Sequence, residues 1–271
     1  MGRGTCRDRL DDILDSGVGA QLTAAYDRAW FAEQVLGAKL DDWQAELLRS
    51  EHQRYILNCH RQAGKSTVAA ADALHTAVFH PRSLILLLSP ALRQSAELFR
   101  KVADFYRQAS GYIEADAALK LTLELKNGSR IVSLPGREGT IRGYSGVALI
   151  LVDEAAGVDD ELFTAVRPML AVSGGRLGLL STPRGRRGLF WRMWEEGDNE
   201  TWHKVMRVAT ECPRISAEFI EQARREMAEW EFQQEYMCEF CDDSNAAFSY
   251  AALDAAMRPD MESWTSWLKA P

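Results

Sequence analysis

No stretch of this chain stays apolar for anything near the roughly 18 residues that a membrane-spanning helix requires. The longest apolar runs, Leu84 to Leu88 and Val147 to Val152, have the length of buried strands. The N-terminus lacks the basic-then-apolar order of a secretory leader and carries Asp8, Asp11, Asp12 and Asp15, so a cytoplasmic protein is expected. Cysteine is scarce: five, at 6, 59, 212, 238 and 241, an odd number that fits reduced thiols better than a disulfide framework. Cys238-Glu-Phe-Cys241 is a CxxC without a second CxxC or paired histidines, so buried thiols are expected rather than zinc. Positive charge is in deficit, with 32 basic against 39 acidic residues and a net charge of -7, which argues against a surface that coats nucleic acid; any DNA contact must be local.

What is present is enough for one main core: 271 residues, 46% of them hydrophobic. Strands and helices alternate through the middle of the chain, the pattern of a parallel sheet with helices on both faces. Expected strands are Tyr55 to Asn58, Ser83 to Ser89, Ala148 to Val152, Leu177 to Ser181 and Lys204 to Ala209. Expected helices are Ser66 to Val78, Leu92 to Gln108, Asp159 to Leu170, Gly188 to Trp194, and one opened by Ser216 as N-cap that runs to about Met227. Leu121, Leu123 and Leu125 alternate up to Asn127-Gly128 and Ile131 to Leu134 follow, which predicts an inserted β-hairpin. Beyond Asp242-Asp243-Ser244-Asn245 the periodicity fades, and residues 246–271 read as a tail despite Trp264 and Trp267.

Two blocks carry chemistry. Residues 59–67, Cys59-His60-Arg61-Gln62-Ala63-Gly64-Lys65-Ser66-Thr67, lie between an apolar strand and a helix. A helix start preceded by a tight loop gathers backbone N–H groups around an anion. Gly64 allows the close approach, Lys65 reaches the terminal phosphates, and Ser66 offers a hydroxyl to Mg²⁺. The glycine that usually stands five positions before Gly64 is replaced by Cys59. The second block, Asp153-Glu154, ends an apolar strand; Asp153 is the expected metal-holding carboxylate and Glu154 the base or water-orienting group. Together they predict an ATP-hydrolysing site with ATP and Mg²⁺ as cofactors. The stabilising cation is Arg61 from the loop or an arginine of a neighbouring subunit, a role that Arg142 beside Gly143 would suit. Trp43-Gln44 offers a ring to stack on adenine and an amide to pair with its edge.

These residues in this order resemble the large terminase subunits of tailed bacteriophages. The elements are Trp43-Gln44, the loop with Arg61-Gln62 before Gly64-Lys65-Ser66-Thr67, Ser89-Pro90 with Arg93-Gln94-Ser95, Arg142-Gly143, Asp153-Glu154-Ala155-Ala156 and Ser181-Thr182-Pro183; Glu231 to Tyr236 falls near the end of the likeness. The resemblance implies an α/β P-loop NTPase domain of the ASCE type over residues 27–243, between an N-terminal segment 1–26 and a tail 244–271. It implies a motor in which Ser181 and Thr182 couple hydrolysis to movement and Arg142 acts in trans across a homo-oligomeric ring that is monomeric in free solution. Double-stranded DNA, a portal protein and a small terminase subunit are the implied partners, with no membrane, in the host cytoplasm and transiently at the procapsid portal. Family members add a nuclease domain of RNase H-like fold, for which residues 246–271 are too few, so nuclease activity is not expected of this chain.

Between Leu162 and Trp194 there is no acidic residue, while Arg167, Arg176, Arg184, Arg186, Arg187 and Arg192 are basic. A positive patch is expected there, with Arg184, Arg186 and Arg187 contacting phosphates without reading sequence. A helicase-like nucleic-acid-dependent ATPase and a nucleotide-gated assembly scaffold are the competing functional readings of the same residues.

Overall fold

The computed structural model describes residues 17–241, apart from Arg142 and the side chain of Glu138. Its centre is a sheet of eight strands: β1 Arg54–Cys59, β2 Leu84–Ser89, β3 Ala115–Leu119, β4 Thr122–Leu125, β5 Arg130–Pro135, β6 Leu149–Asp153, β7 Arg176–Ser181 and β8 His203–Arg207. The spatial order is β3-β4-β5-β2-β6-β7-β1-β8. From β5 to β8 every neighbouring pair is parallel, while β3 and β4 form an antiparallel extension at one edge. The expected hairpin is β4 and β5. Its neighbour β3 was not anticipated, because Ala115-Asp-Ala-Ala-Leu119 has the composition of a helix and forms a strand only through pairing with β4.

Buried parallel strands send alternate residues to opposite faces. Leu57, Ile85, Leu87, Leu149 and Leu151 enter one core layer; Ile56, Leu86, Leu88, Ile150 and Val152 enter the other. Helices α1 Gly17–Tyr26, α2 Asp42–Arg49, α3 Lys65–Phe79 and α4 Leu92–Ala109 cover or border the first layer, and α5 Asp160–Ala171 and α6 Gly188–Glu195 the second. Alanines along α3 allow it to sit deep: Val68 through Ala77 are all buried. Helix α1 lies just before residue 27, and its Ala24 is fully buried in the first layer. Two further helices, α7 Ala217–Glu226 and α8 Glu229–Glu235, enclose a small separate core with Phe232 at its centre. Ser216 caps α7 as expected, its hydroxyl accepting from the Phe219 N–H at 3.2 Å.

Strand β8 ends two residues earlier than the pattern suggested. Its last residue, Arg207, gives its carbonyl to the His60 N–H at 3.0 Å and receives the Cys238 thiol at 3.2 Å, after which Ala209–Glu211 turn into a 3₁₀ segment. At the opposite end of the sheet, Asp72 of α3 is buried with Arg176 at 2.7 Å, Arg28 at 3.7 Å and the Tyr55 hydroxyl at 3.2 Å. Arg176 therefore belongs to a buried ion cluster. Among the described residues no helix is long and apolar enough to cross a membrane.

Candidate nucleotide-binding site

Strand β7 lies between β1 and β6, which carry the two chemical blocks. In register, Asn58 of β1 stands opposite Ser181, and Asp153 of β6 opposite Leu180. The loop after β1, the carboxylates ending β6 and Ser181-Thr182 ending β7 thus emerge together from the same edge of the sheet. Parallel topology places all three at carboxyl ends, the side where open α/β sheets bind ligands.

The loop is held open by backbone conformation. Gly64 has φ +90°, and a Cβ there would stand 2.3 Å from the Gln44 side-chain nitrogen. Gln62 also adopts positive φ, at 63°. Lys65 opens α3, and its buried ammonium donates to the Cys59 carbonyl at 2.8 Å, the His60 carbonyl at 3.1 Å and the Thr182 hydroxyl at 3.3 Å. The Thr182 hydroxyl in turn donates to the Cys59 carbonyl at 3.2 Å. Ser181 is fully buried and accepts from the Ala156 N–H at 3.1 Å, tying β7 to the segment after Glu154.

Asp153 is buried, and its carboxylate accepts from the Glu154 N–H at 3.1 Å. Burial, reinforced by the charge of Glu154, pushes its pKa up to about 6, against the pull of Lys65 and Lys101. Glu154 itself is left-handed, φ 52° and ψ 42°, an uncommon backbone state for a non-glycine residue and one concentrated at functional sites.

These groups line one cavity of about 440 Å³: Gln44, residues 61–67, Asp153 and Glu154 from the expected set, with Lys39, Lys101 and Arg214 beside them. The last three were missed because each arrives from a distant part of the chain. Lys101 sits beside the buried stripe Leu98, Phe99 and Val102 of α4, which gave a slight hint; Lys39 and Arg214 had none.

Several expected roles meet a different geometry. Gln44 is buried, with its oxygen accepting from the Asp41 N–H at 2.8 Å and its nitrogen donating to the Ala63 carbonyl at 3.1 Å. Its amide braces the loop from below, with both its oxygen and its nitrogen engaged by backbone groups. Trp43 packs on the first core layer and borders an adjoining cleft of about 640 Å³, its ring 5.9 Å from the Arg207 guanidinium. Arg61 lies at the cavity rim with its guanidinium nitrogen 2.6 Å from Glu235 of α8, so in this geometry its charge faces a carboxylate. Arg142 lies outside the described residues.

The expected basic patch is split by the fold. Arg176 is half-buried against Asp72 at the far end of β7, Arg192 pairs with Asp160 at 2.7 Å, and Arg186 donates to the Phe240 carbonyl at 2.8 Å. Arg184 and Arg187 are exposed beside it. Cys59 and Cys238 are buried thiols pushed up to about 11 and about 12 by burial, and no group of three or more His, Cys, Asp or Glu could hold a metal among the described residues.

The family model described as terminase large subunit, T4likevirus-type, N-terminal, matches residues 57–254. The chain is 26% identical over 251 residues to the terminase large subunit of Thermus virus P23-45, covering 80% of this chain and 52% of that protein. The ATPase domain of the large terminase of Thermus phage P74-26 superposes with a TM-score of 0.69 at 22% identity, over 77% of this chain and 96% of that one. The large terminase of a thermophilic bacteriophage, solved in complex with ADP, gives 0.60 at 11% identity, over 82% and 53%. The chain thus spans about half the length of the curated relatives it matches. At such identities the solved structures establish the fold, an ASCE-type P-loop NTPase sheet with helices on both faces. The family match runs from the middle of β1 past the end of α8, across both chemical blocks, and on that ground the chain belongs to the N-terminal domains of terminase large subunits.

Proposed function

We propose that this chain is an ATP hydrolase that drives double-stranded viral DNA into a procapsid. The observation that carries the reading is the convergence of Gly64, Lys65, Ser66, Asp153 and Glu154 on one cavity at the carboxyl edge of a parallel sheet. Backbone N–H groups at the start of α3 receive a phosphate, and Lys65 exchanges its carbonyl partners for phosphate oxygens. Gln62, Ala63 and Thr67 complete the cradle.

The donors suit Mg²⁺: a hydroxyl from Ser66 and a carboxylate from Asp153 are hard oxygen ligands, too few for an all-protein cage. When bound, Mg²⁺ would offset the negative charge that develops on the phosphate oxygens. Ser66 and Asp153 hold the ion, and Asp153 must be ionised to do so. Glu154, whose backbone is left-handed, orients the attacking water and accepts its proton. Thr182 and Ser181 link Lys65 to the segment after Glu154, a route for changes at the phosphate to reach the loop with Arg184 and Arg187.

The terminase of a thermophilic bacteriophage solved with ADP supports the nucleotide assignment by similarity of fold. By the same family membership, residues 27–243 form the motor domain, which joins a homo-oligomeric ring on a portal protein, receives DNA with a small terminase subunit and works in the host cytoplasm. Arg142 supplies the trans-acting cation, and Arg184 and Arg187 face duplex phosphates. The test is ATP turnover with and without duplex DNA, procapsids and the portal, comparing wild type with Lys65→Ala. DNA-dependent turnover lost in Lys65→Ala is expected; equal turnover in both would overturn the proposal.

A further inference from the structure

Five cationic residues line the phosphate cavity: Lys39, Arg61, Lys65, Lys101 and Arg214. Two of them face carboxylates. Arg61 meets Glu235 at 2.6 Å, and Arg214 grips both oxygens of Asp41 at 2.6 and 2.9 Å. Lys39 is exposed. Lys101 differs from all of these. Its stem is half-buried on α4, and its ammonium donates to the Thr67 hydroxyl at 3.0 Å, with no carboxylate pairing among the described residues.

A half-buried ammonium that meets only a neutral hydroxyl beside two carboxylates is held ready for a stronger acceptor. A polyphosphate in this cavity would bring several negative charges next to Asp153 and Glu154, and Lys65 alone offsets one of them. We propose that Lys101 is a second phosphate-binding cation, delivered from α4 and positioned by Thr67 at the first turn of α3. The inference rests on reading the cavity as a nucleotide site. It adds a ligand contact from α4, which carries neither the Gly64 loop nor the paired carboxylates. Because Lys101 leaves a neutral partner to bind phosphate, no ion pair has to be broken.

The test measures binding of a fluorescent ATP analogue and its displacement by inorganic tripolyphosphate, in wild type, Lys101→Gln, Lys101→Met, Lys101→Arg, Thr67→Val and Lys65→Ala. Thermal melting of each variant establishes that it is folded, and Lys101→Met, which keeps the apolar stem, serves if the glutamine variant is not. Loss of the charge should weaken both the nucleotide and tripolyphosphate by roughly ten- to a hundredfold. Lys101→Arg should bind within a few-fold of wild type, and Thr67→Val should weaken binding less than Lys101→Gln. A merely structural brace would make Thr67→Val as damaging as Lys101→Gln, and that result overturns the proposal, as does wild-type tripolyphosphate affinity in the folded charge-removed variant. If Lys65→Ala binds poorly while Lys101→Gln is unaffected, this inference alone falls. If Lys65→Ala also binds like wild type, the nucleotide reading of the cavity falls with it.

Discussion

The Thr182 hydroxyl lies 3.3 Å from the Lys65 ammonium and shares with it the carbonyl of Cys59, so the end of β7 is hydrogen-bonded directly to the phosphate loop. On the proposed function, phosphate binding that draws Lys65 forward would rearrange this contact. Thr182→Val, nearly isosteric without the hydroxyl, should lower DNA-dependent turnover by about tenfold while ATP affinity changes little. Steady-state kinetics separates the two: an increase in KM alone would show that Thr182 serves binding.

Removing the charge at Glu154 tests the other carboxylate. Glu154→Gln should bind ATP normally and reduce turnover by roughly 10²–10⁴. A fluorescent-nucleotide titration run beside a phosphate-release assay decides this, and turnover within a few-fold of wild type would remove Glu154 from the chemistry.

Gly64 is required twice, by its φ of +90° and by the Gln44 amide beneath it. Gly64→Ala should therefore cost on the order of 1–2 kcal/mol in backbone strain and also push Gln44 off the Ala63 carbonyl. A fall in melting temperature of about 2–8 °C with loss of nucleotide binding is expected. Unchanged affinity in the alanine variant would contradict the packing described.

Gly178 packs against the Tyr55 ring, where a Cβ would stand 2.4 Å from the ring carbon that bears the hydroxyl. Gly178→Ala must displace Tyr55 and strain its bond to Asp72, costing about 1–3 kcal/mol. Denaturant unfolding measures it, and since this site lies at the opposite end of the sheet from the cavity, nucleotide affinity in the folded variant should be unchanged.

His75 gives a pH dependence of known sign. Burial, assisted by Arg28, holds its pKa down at about 4 in the folded protein, against an ordinary value of 6.5. Between those values the unfolded chain binds the proton and the folded chain does not, so stability is intact above pH 6.5 and declines as pH falls toward 4. The loss is of order 2 kcal/mol over that window. His75→Gln, which keeps a donor toward the Ala24 carbonyl, should flatten this part of a plot of denaturation midpoint against pH.

Reading the chain alone placed seven of the eight strands, because buried parallel strands need continuous aliphatic runs and a hairpin needs its Asn127-Gly128 turn. The eighth, β3, escaped because Ala117 and Ala118 carry no strand preference, and only the edge of β4 selects their conformation. The Gly64-Lys65-Ser66 loop and the Asp153-Glu154 pair stood out in the sequence for a related reason: the proposed anion site at a helix start requires glycine, lysine and hydroxyl at fixed spacing along the chain. What that spacing could not show is which long side chains arrive from elsewhere. Arg61 turned toward Glu235, Gln44 turned under the loop, Arg176 withdrew into an ion cluster with Asp72, and Lys101 came in from α4. Local chemistry is encoded by neighbours in sequence, whereas partners of charged and amide groups are chosen by burial and by the strand order that brings β6, β7 and β1 side by side, and these exist only once the sheet has formed.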